Sequence, residues 1–150
     1  MKLRFLCATH RLELYNKPQQ LIYYWQNGFD TGQTLQSQGL FQDSIAHLGC
    51  AFETAEIILT TKALNSKVAC ELFMNSAKLL GQSFIQLQHW DQGYGVYRSA
   101  IDRLKREFSQ FKENQINICR YLDELHEELE SSLQKAATPR PQPKALKVIH

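Results

Sequence analysis

Between Pro18 and Pro139 the chain runs for 120 residues without a proline. Such a stretch keeps every backbone donor and meets no enforced helix break. Its apolar residues recur at spacings of three and four, not in the alternation that marks a strand. Together these features predict long amphipathic helices and an all-α fold.

Lys17 to Gln38 is expected to form a first helix, with Pro18 in its opening turn, Leu21, Ile22, Trp25, Phe29 and Leu35 on its apolar side, and Gly39 ending it. A second is expected from Gln42 to Lys62. There Ile45, Leu48, Phe52, Ala55, Ile58 and Leu59 share one face, and Glu53, Glu56 and Lys62 lie off it. Ser66 is suited to cap a third helix, which carries Val68, Ala69, Leu72, Phe73, Ala77, Leu80, Phe84 and Leu87 to a turn at His89–Gly93.

From Tyr94 onward Tyr97, Ile101, Leu104, Phe108, Phe111, Ile118, Leu122, Leu125 and Leu129 make a heptad-like seam in which Gln115 takes one slot. As one rod this segment, about 94–134, would be roughly 60 Å long at about 1.5 Å per residue, more than a domain of this size can cover. It must bend or pair with another subunit. Lys112–Asn117 is its least apolar stretch and the expected bend, after which the remainder would fold back as a capping helix. A straight helix would instead offer the seam to a homodimer. Residues 1–137 are thus expected to form a single helical domain, and 138–150, with three prolines and no acid, a flexible basic tail.

Composition narrows the function. At 43% hydrophobic and 21% charged residues the chain has globular composition. Seventeen Lys and Arg against 15 Asp and Glu leave a formal charge of +2, too little to draw the molecule strongly to nucleic acid or anionic lipid. The apolar run near the amino terminus is broken by Thr9, His10 and Arg11, too early for a signal-peptide core, and no stretch is long enough to span a bilayer. A cytoplasmic location is expected. Cys7, Cys50, Cys70 and Cys119 are widely spaced and read as reduced thiols.

The chain resembles itself at an offset of 49 residues, which places Gly32 on Gly81, Gln33 on Gln82, Leu35 on Phe84, Phe41 on Trp90, Leu48 on Tyr97 and Ala51 on Ala100. The physical logic is a glycine that lets two helices approach, large residues that fill the groove between them, and an alanine that admits the next unit. Gly32, Leu35, Gly39, Phe41, Ser44, Leu48 and Ala51 in the first copy, and Leu80, Gly81, Phe84, Trp90, Gly93, Tyr97 and Ala100 in the second, resemble the tetratricopeptide repeat over about residues 25–105. The resemblance implies an array of antiparallel helical hairpins that binds a protein or peptide on the face of its first helices. Carried over by position, that face would present Gln26, Phe29, Gln33, Gln36, Asn75, Lys78, Gln82 and Gln86. An amide-lined groove suits extended backbone, because Asn and Gln each both donate and accept. Lys78, four residues before Gln82, would be placed to receive a carboxylate.

Other chemistry is thinly represented. Arg98, Arg103, Lys105 and Arg106 lie near Tyr94 and Tyr97 in a pattern that could serve nucleic acid, but Asp102 and Glu107 dilute it. His47 with Cys50, and Asp123 with His126 and Glu130, have helical spacing compatible with metal ligation without a convincing full ligand set. No phosphate loop, nucleophile elbow or HExxH motif occurs. The sequence therefore predicts a protein–protein interaction module, an adaptor, co-chaperone or regulator, with no enzyme activity, cofactor or metal. The alternatives are a secretion or assembly chaperone working through its carboxy-terminal helix and, in another class, a metal-dependent helical-bundle enzyme.

Overall fold

The computed structural model describes residues 3–110 and 112–138. Phe111 of the expected seam and the tail from Pro139 onward lie outside the described residues. Among the described residues the protein is helical throughout and contains no strand. The helices are α1 (Ala8–Asn16), α2 (Pro18–Ser37), α3 (Phe41–Thr61), α4 (Ser66–Gln86), α5 (Trp90–Gln110) and α6 (Gln115–Ala137), with a single 3-10 turn at Lys112–Asn114. Each pair of consecutive long helices is packed together across a connection of a few residues, which forces an antiparallel, up-and-down course. α3 lies across α2 and α4, and α5 across α4 and α6, so α4 touches all four of the other long helices.

Local chemistry sets the boundaries. Pro18 occupies the first turn of α2, where its missing N–H costs nothing. α3 ends on Lys62 in the left-handed region, and the Lys62 N–H donates to the Ile58 carbonyl. The cap of α4 is Asn65, not Ser66: its side chain accepts the Val68 N–H at 3.0 Å. The expected turn at His89–Gly93 is also displaced. Trp90 already begins α5, and the connection is Leu87–His89. The short α1 was not expected as a separate helix. Its apolar signal is a single buried residue, Leu14, and its cap is the Cys7 sulfur, which accepts the His10 N–H at 3.4 Å.

The 49-residue similarity reappears in the backbone. Gly39 has φ +78° and Gln88, 49 residues later, has φ +61°. At the first turn the Gly39 and Leu40 N–H groups donate to the Gln36 and Leu35 carbonyls; at the second, Gln88 and His89 donate to Ile85 and Phe84, all four bonds at 2.9 Å. The same helix-ending motif thus closes both hairpins, once with the glycine that the left-handed conformation favours and once with glutamine.

The core runs through α4. Phe73, Ala77 and Leu80 are fully buried, and the Phe73 ring stacks on Phe52 of α3 at 5.0 Å. On the other side Trp25 Nε1 donates to Ser76 Oγ at 2.8 Å, tying α2 to α4. Apart from the 3-10 turn, the described residues of 94–134 fall in two helices, α5 and α6. Gln115, the polar slot in the seam, donates from Nε2 to the Phe108 carbonyl at 3.0 Å and so satisfies the end of α5 at the bend. Asn114, buried at the same bend, donates to Ser66 Oγ at 3.4 Å. α6 then folds back on α5 and α4, burying Ile118, Tyr121 and Leu125 and packing Leu122 and Leu129 against the core. The seam is used within the chain.

Candidate functional site

The residues expected to line a groove on the first helices are all at least partly accessible. Gln26, Gln33 and Gln86 are exposed, and Phe29, Gln36, Asn75, Lys78 and Gln82 are half-buried. Several, however, are engaged between helices. Gln36 Nε2 donates to the Leu79 carbonyl at 2.7 Å and to Ser83 Oγ at 2.8 Å, bridging α2 to α4. Phe29 stacks on Trp25 at 4.7 Å, and Gln26 reaches Asp30 one turn along its own helix. On α4 the Lys78 ammonium lies 3.7 Å from Glu124 and 4.0 Å from Glu128, and Gln82 donates to Glu128 at 3.2 Å. The carboxylates that Lys78 receives belong to α6.

A second region, where residues before α1 meet α3, was not singled out by periodicity. The segment Leu3–Leu6 precedes α1 and runs without regular structure across α3. Glu53 faces it and is 1% exposed, although its helical spacing placed it off the apolar face. The reason for its burial is local: its two carboxylate oxygens accept the N–H groups of Phe5 at 2.7 Å and Leu6 at 2.9 Å, and the Arg11 guanidinium approaches to 2.8 Å. A buried carboxylate is tolerable when donors and a countercharge surround it. One turn earlier Gly49 leaves the helix surface bare, and the Phe5 ring occupies that space: a Cβ at Gly49 would come within 2.2 Å of it. Cys50 points its thiol toward the Phe5 carbonyl at 3.9 Å.

Beside this strap a cleft of about 530 Å³ opens between α3 and the first half of α5. Its apolar lining is Leu3, Phe5, Phe52 and Val96; Glu56, Asp91, Gln92, Arg98 and Ser99 add polar groups. Gly95 also lines it, and a Cβ there would meet nothing within 4 Å. Asp91 sits in the first turn of α5, where the helix dipole favours its charge, and Arg98 lies over the Tyr94 ring at 5.7 Å. The cleft therefore combines an apolar floor with charges of both signs. The sequence signal that could have marked this region is Gly49 itself, a mid-helix glycine costing about 1 kcal/mol of helix propensity unless something approaches closely.

Neither His47 with Cys50 nor Asp123 with His126 and Glu130 belongs to a ligand cluster among the described residues. Among the described residues no three His, Cys, Asp or Glu side chains form a group that could hold a metal ion. Of the cysteines, Cys7 and Cys119 are exposed, Cys50 is half-buried and Cys70 is buried. Burial pushes the Cys70 thiol up to about 11, and burial together with the neighbouring Glu53 charge raises Cys50. Near pH 8, roughly, an aromatic disulfide reagent is expected to modify Cys7 and Cys119 first and Cys70 only as the fold opens, because the thiolate is the reacting form. Equal rates at all four, followed by mass spectrometry, would contradict that packing.

Among the described residues no helix is long and apolar enough to cross a membrane. No protein-family model matches this chain, and neither a curated protein nor a solved structure matches it.

Proposed function

We propose that this chain is a protein–protein interaction module of tetratricopeptide-like design, an adaptor, co-chaperone or regulator, that holds a partner segment in the cleft between α3 and α5. The observation carrying this reading is the cleft of about 530 Å³ with its apolar floor of Phe52 and Val96 and its mixed-charge surroundings. Such a surface suits an amphipathic protein segment: the floor takes apolar side chains, and Asp91 and Arg98 fix their orientation. The α2–α4 face is less favoured, since Gln36, Lys78 and Gln82 already serve the chain's own helices. The chaperone alternative is weakened in the same way, because the apolar face of α6 is spent on α4 and α5.

Gly95→Trp is the discriminating variant. It fills the cleft from a position with open space in front of it and replaces a glycine by a better helix former, so the chain is expected to stay folded. Partners captured from the native host by the wild type should be lost at least tenfold with Gly95→Trp and retained with Gln33→Trp on the α2 face. Loss with Gln33→Trp alone would move the site to the α2–α4 face, and retention by both variants would sink the groove reading altogether.

A further inference from the structure

The N-terminal strap is bound to α3 in the manner of a ligand. Its two consecutive main-chain N–H groups end on one carboxylate, its aromatic side chain fills a place that a single glycine leaves open, and Leu6 is buried behind it. None of these contacts uses the covalent link between the strap and the rest of the chain. Each would be made equally by a separate segment with two adjacent N–H donors, the first residue aromatic and the second aliphatic. A second observation points the same way: the strap borders the cleft, with Leu3 and Phe5 in its lining, so an incoming segment has room to lie alongside before the strap leaves.

We infer that the Gly49–Glu53 face of α3 is a docking seat for an extended aromatic–aliphatic segment, that Phe5-Leu6 is its resident occupant, and that a partner segment of this chemistry enters by displacing the strap. This stands on the contacts of α3 and not on occupancy of the α3–α5 cleft. The seat reads main-chain donors, which gives it a rule of exclusion: proline at either position removes an N–H and leaves part of Glu53 unsatisfied. A resident occupant also lowers the apparent affinity for any competitor, to the intrinsic affinity multiplied by the fraction of time the seat is empty.

The test uses the full chain and a fluorescent peptide reproducing residues 1–10. Phe5→Ala in the protein weakens the strap, and the peptide is expected to bind this variant at least tenfold more tightly than the wild type. A peptide carrying Leu6→Pro should lose that binding. Gly49→Leu added to the Phe5→Ala chain should lose it too, since the leucine takes the space of the missing ring. Equal affinity for wild type and Phe5→Ala would overturn the inference, as would undiminished binding of the Leu6→Pro peptide. Amide exchange of the wild type checks it without any variant: Phe5 and Leu6 are expected to exchange far faster than Phe52 and Ala55 of α3, and equal protection would make the strap an integral part of the core. Failure of the cleft reading stays distinguishable, because Gly95→Trp acts from the α5 side of the cleft, outside the Gly49–Glu53 seat.

Discussion

Leucine at position 81 is expected to lower the stability of the fold by about 3 kcal/mol, the upper end of the usual cost of overpacking. Gly81 lies where α4 meets α5, and a Cβ there would approach Tyr97 Cε1 to 2.3 Å and Cζ to 2.4 Å. Tyr97 is fully buried, so its ring cannot swing into solvent to make room. Alanine at the same position should also destabilise, with the clash partly offset by a gain in helix propensity of up to about 1 kcal/mol. Gly32 repeats the arrangement in the first hairpin, where its Cβ would meet Leu48 Cγ at 2.5 Å. Leu48 is also fully buried and its main-chain N lies 3.1 Å from the same point, so Gly32→Leu should cost a comparable amount. Urea unfolding of the two variants gives the comparison. A double-mutant cycle of Gly81→Ala with Tyr97→Leu should show favourable coupling, because trimming the ring relieves the clash. Unchanged melting of both glycine variants would remove the physical basis of the 49-residue repeat.

That repeat was the most legible part of the architecture, and its legibility has a cause. Gly32 and Gly81 matter through close packing against Leu48 and Tyr97, partners that lie 16 residues further on in both copies, so a one-dimensional comparison sees the pair. Helix existence was legible for a similar reason: spacings of three and four are themselves the packing faces. The bend before α6 could be read from the polar run Lys112–Asn117, but only the structure shows Gln115 and Asn114 donating there to the Phe108 carbonyl and to Ser66.

The strap was illegible because its partners are far apart and polar. Phe5 and Glu53 are 48 residues apart and belong to no repeat, and Glu53 looks like a surface carboxylate to any method that counts apolar faces. From Leu48 to Leu59 α3 is buried at almost every position, which erases the contrast between faces on which that method depends. The engagement of the expected groove residues was illegible for a different reason. Its residues were placed on the accessible side of α2 and α4, but periodicity cannot tell which exposed amides will be taken by a neighbouring helix. Gln36 and Gln82 are taken, by Ser83 and Glu128 respectively.

Leu125→Ala is expected to cost about 3 kcal/mol, within the usual range for a fully buried leucine, and to act by loosening α6 without changing molecular mass. Among the described residues α6 is the last helix, and it packs on faces of both α4 and α5. Its grip consists of Ile118, Tyr121 and Leu125 in the core and the Glu124 and Glu128 contacts to Lys78 and Gln82 at the edge. The exposed ion pairs contribute little against solvent, so the leucine should dominate. Sedimentation separates this from assembly through the seam: a chain that uses α6 as its own cap keeps its mass in both wild type and variant, whereas a seam-linked dimer would dissociate. Tyr97 supplies a local readout of the same event. Burial, and then the nearby charge of Glu128, hold its phenol above the ordinary value of 10.0. A group whose neutral form the fold prefers contributes its stability below that ordinary value and loses the contribution as pH rises beyond it. Spectrophotometric titration should therefore find Tyr97 resistant to ionisation in the wild type and shifted back toward ordinary tyrosine in Leu125→Ala, at pH values where the helical signal of α2 to α5 is retained. An unshifted phenol in a destabilised variant would mean that α6 unfolds only with the whole array and is not a separable cap.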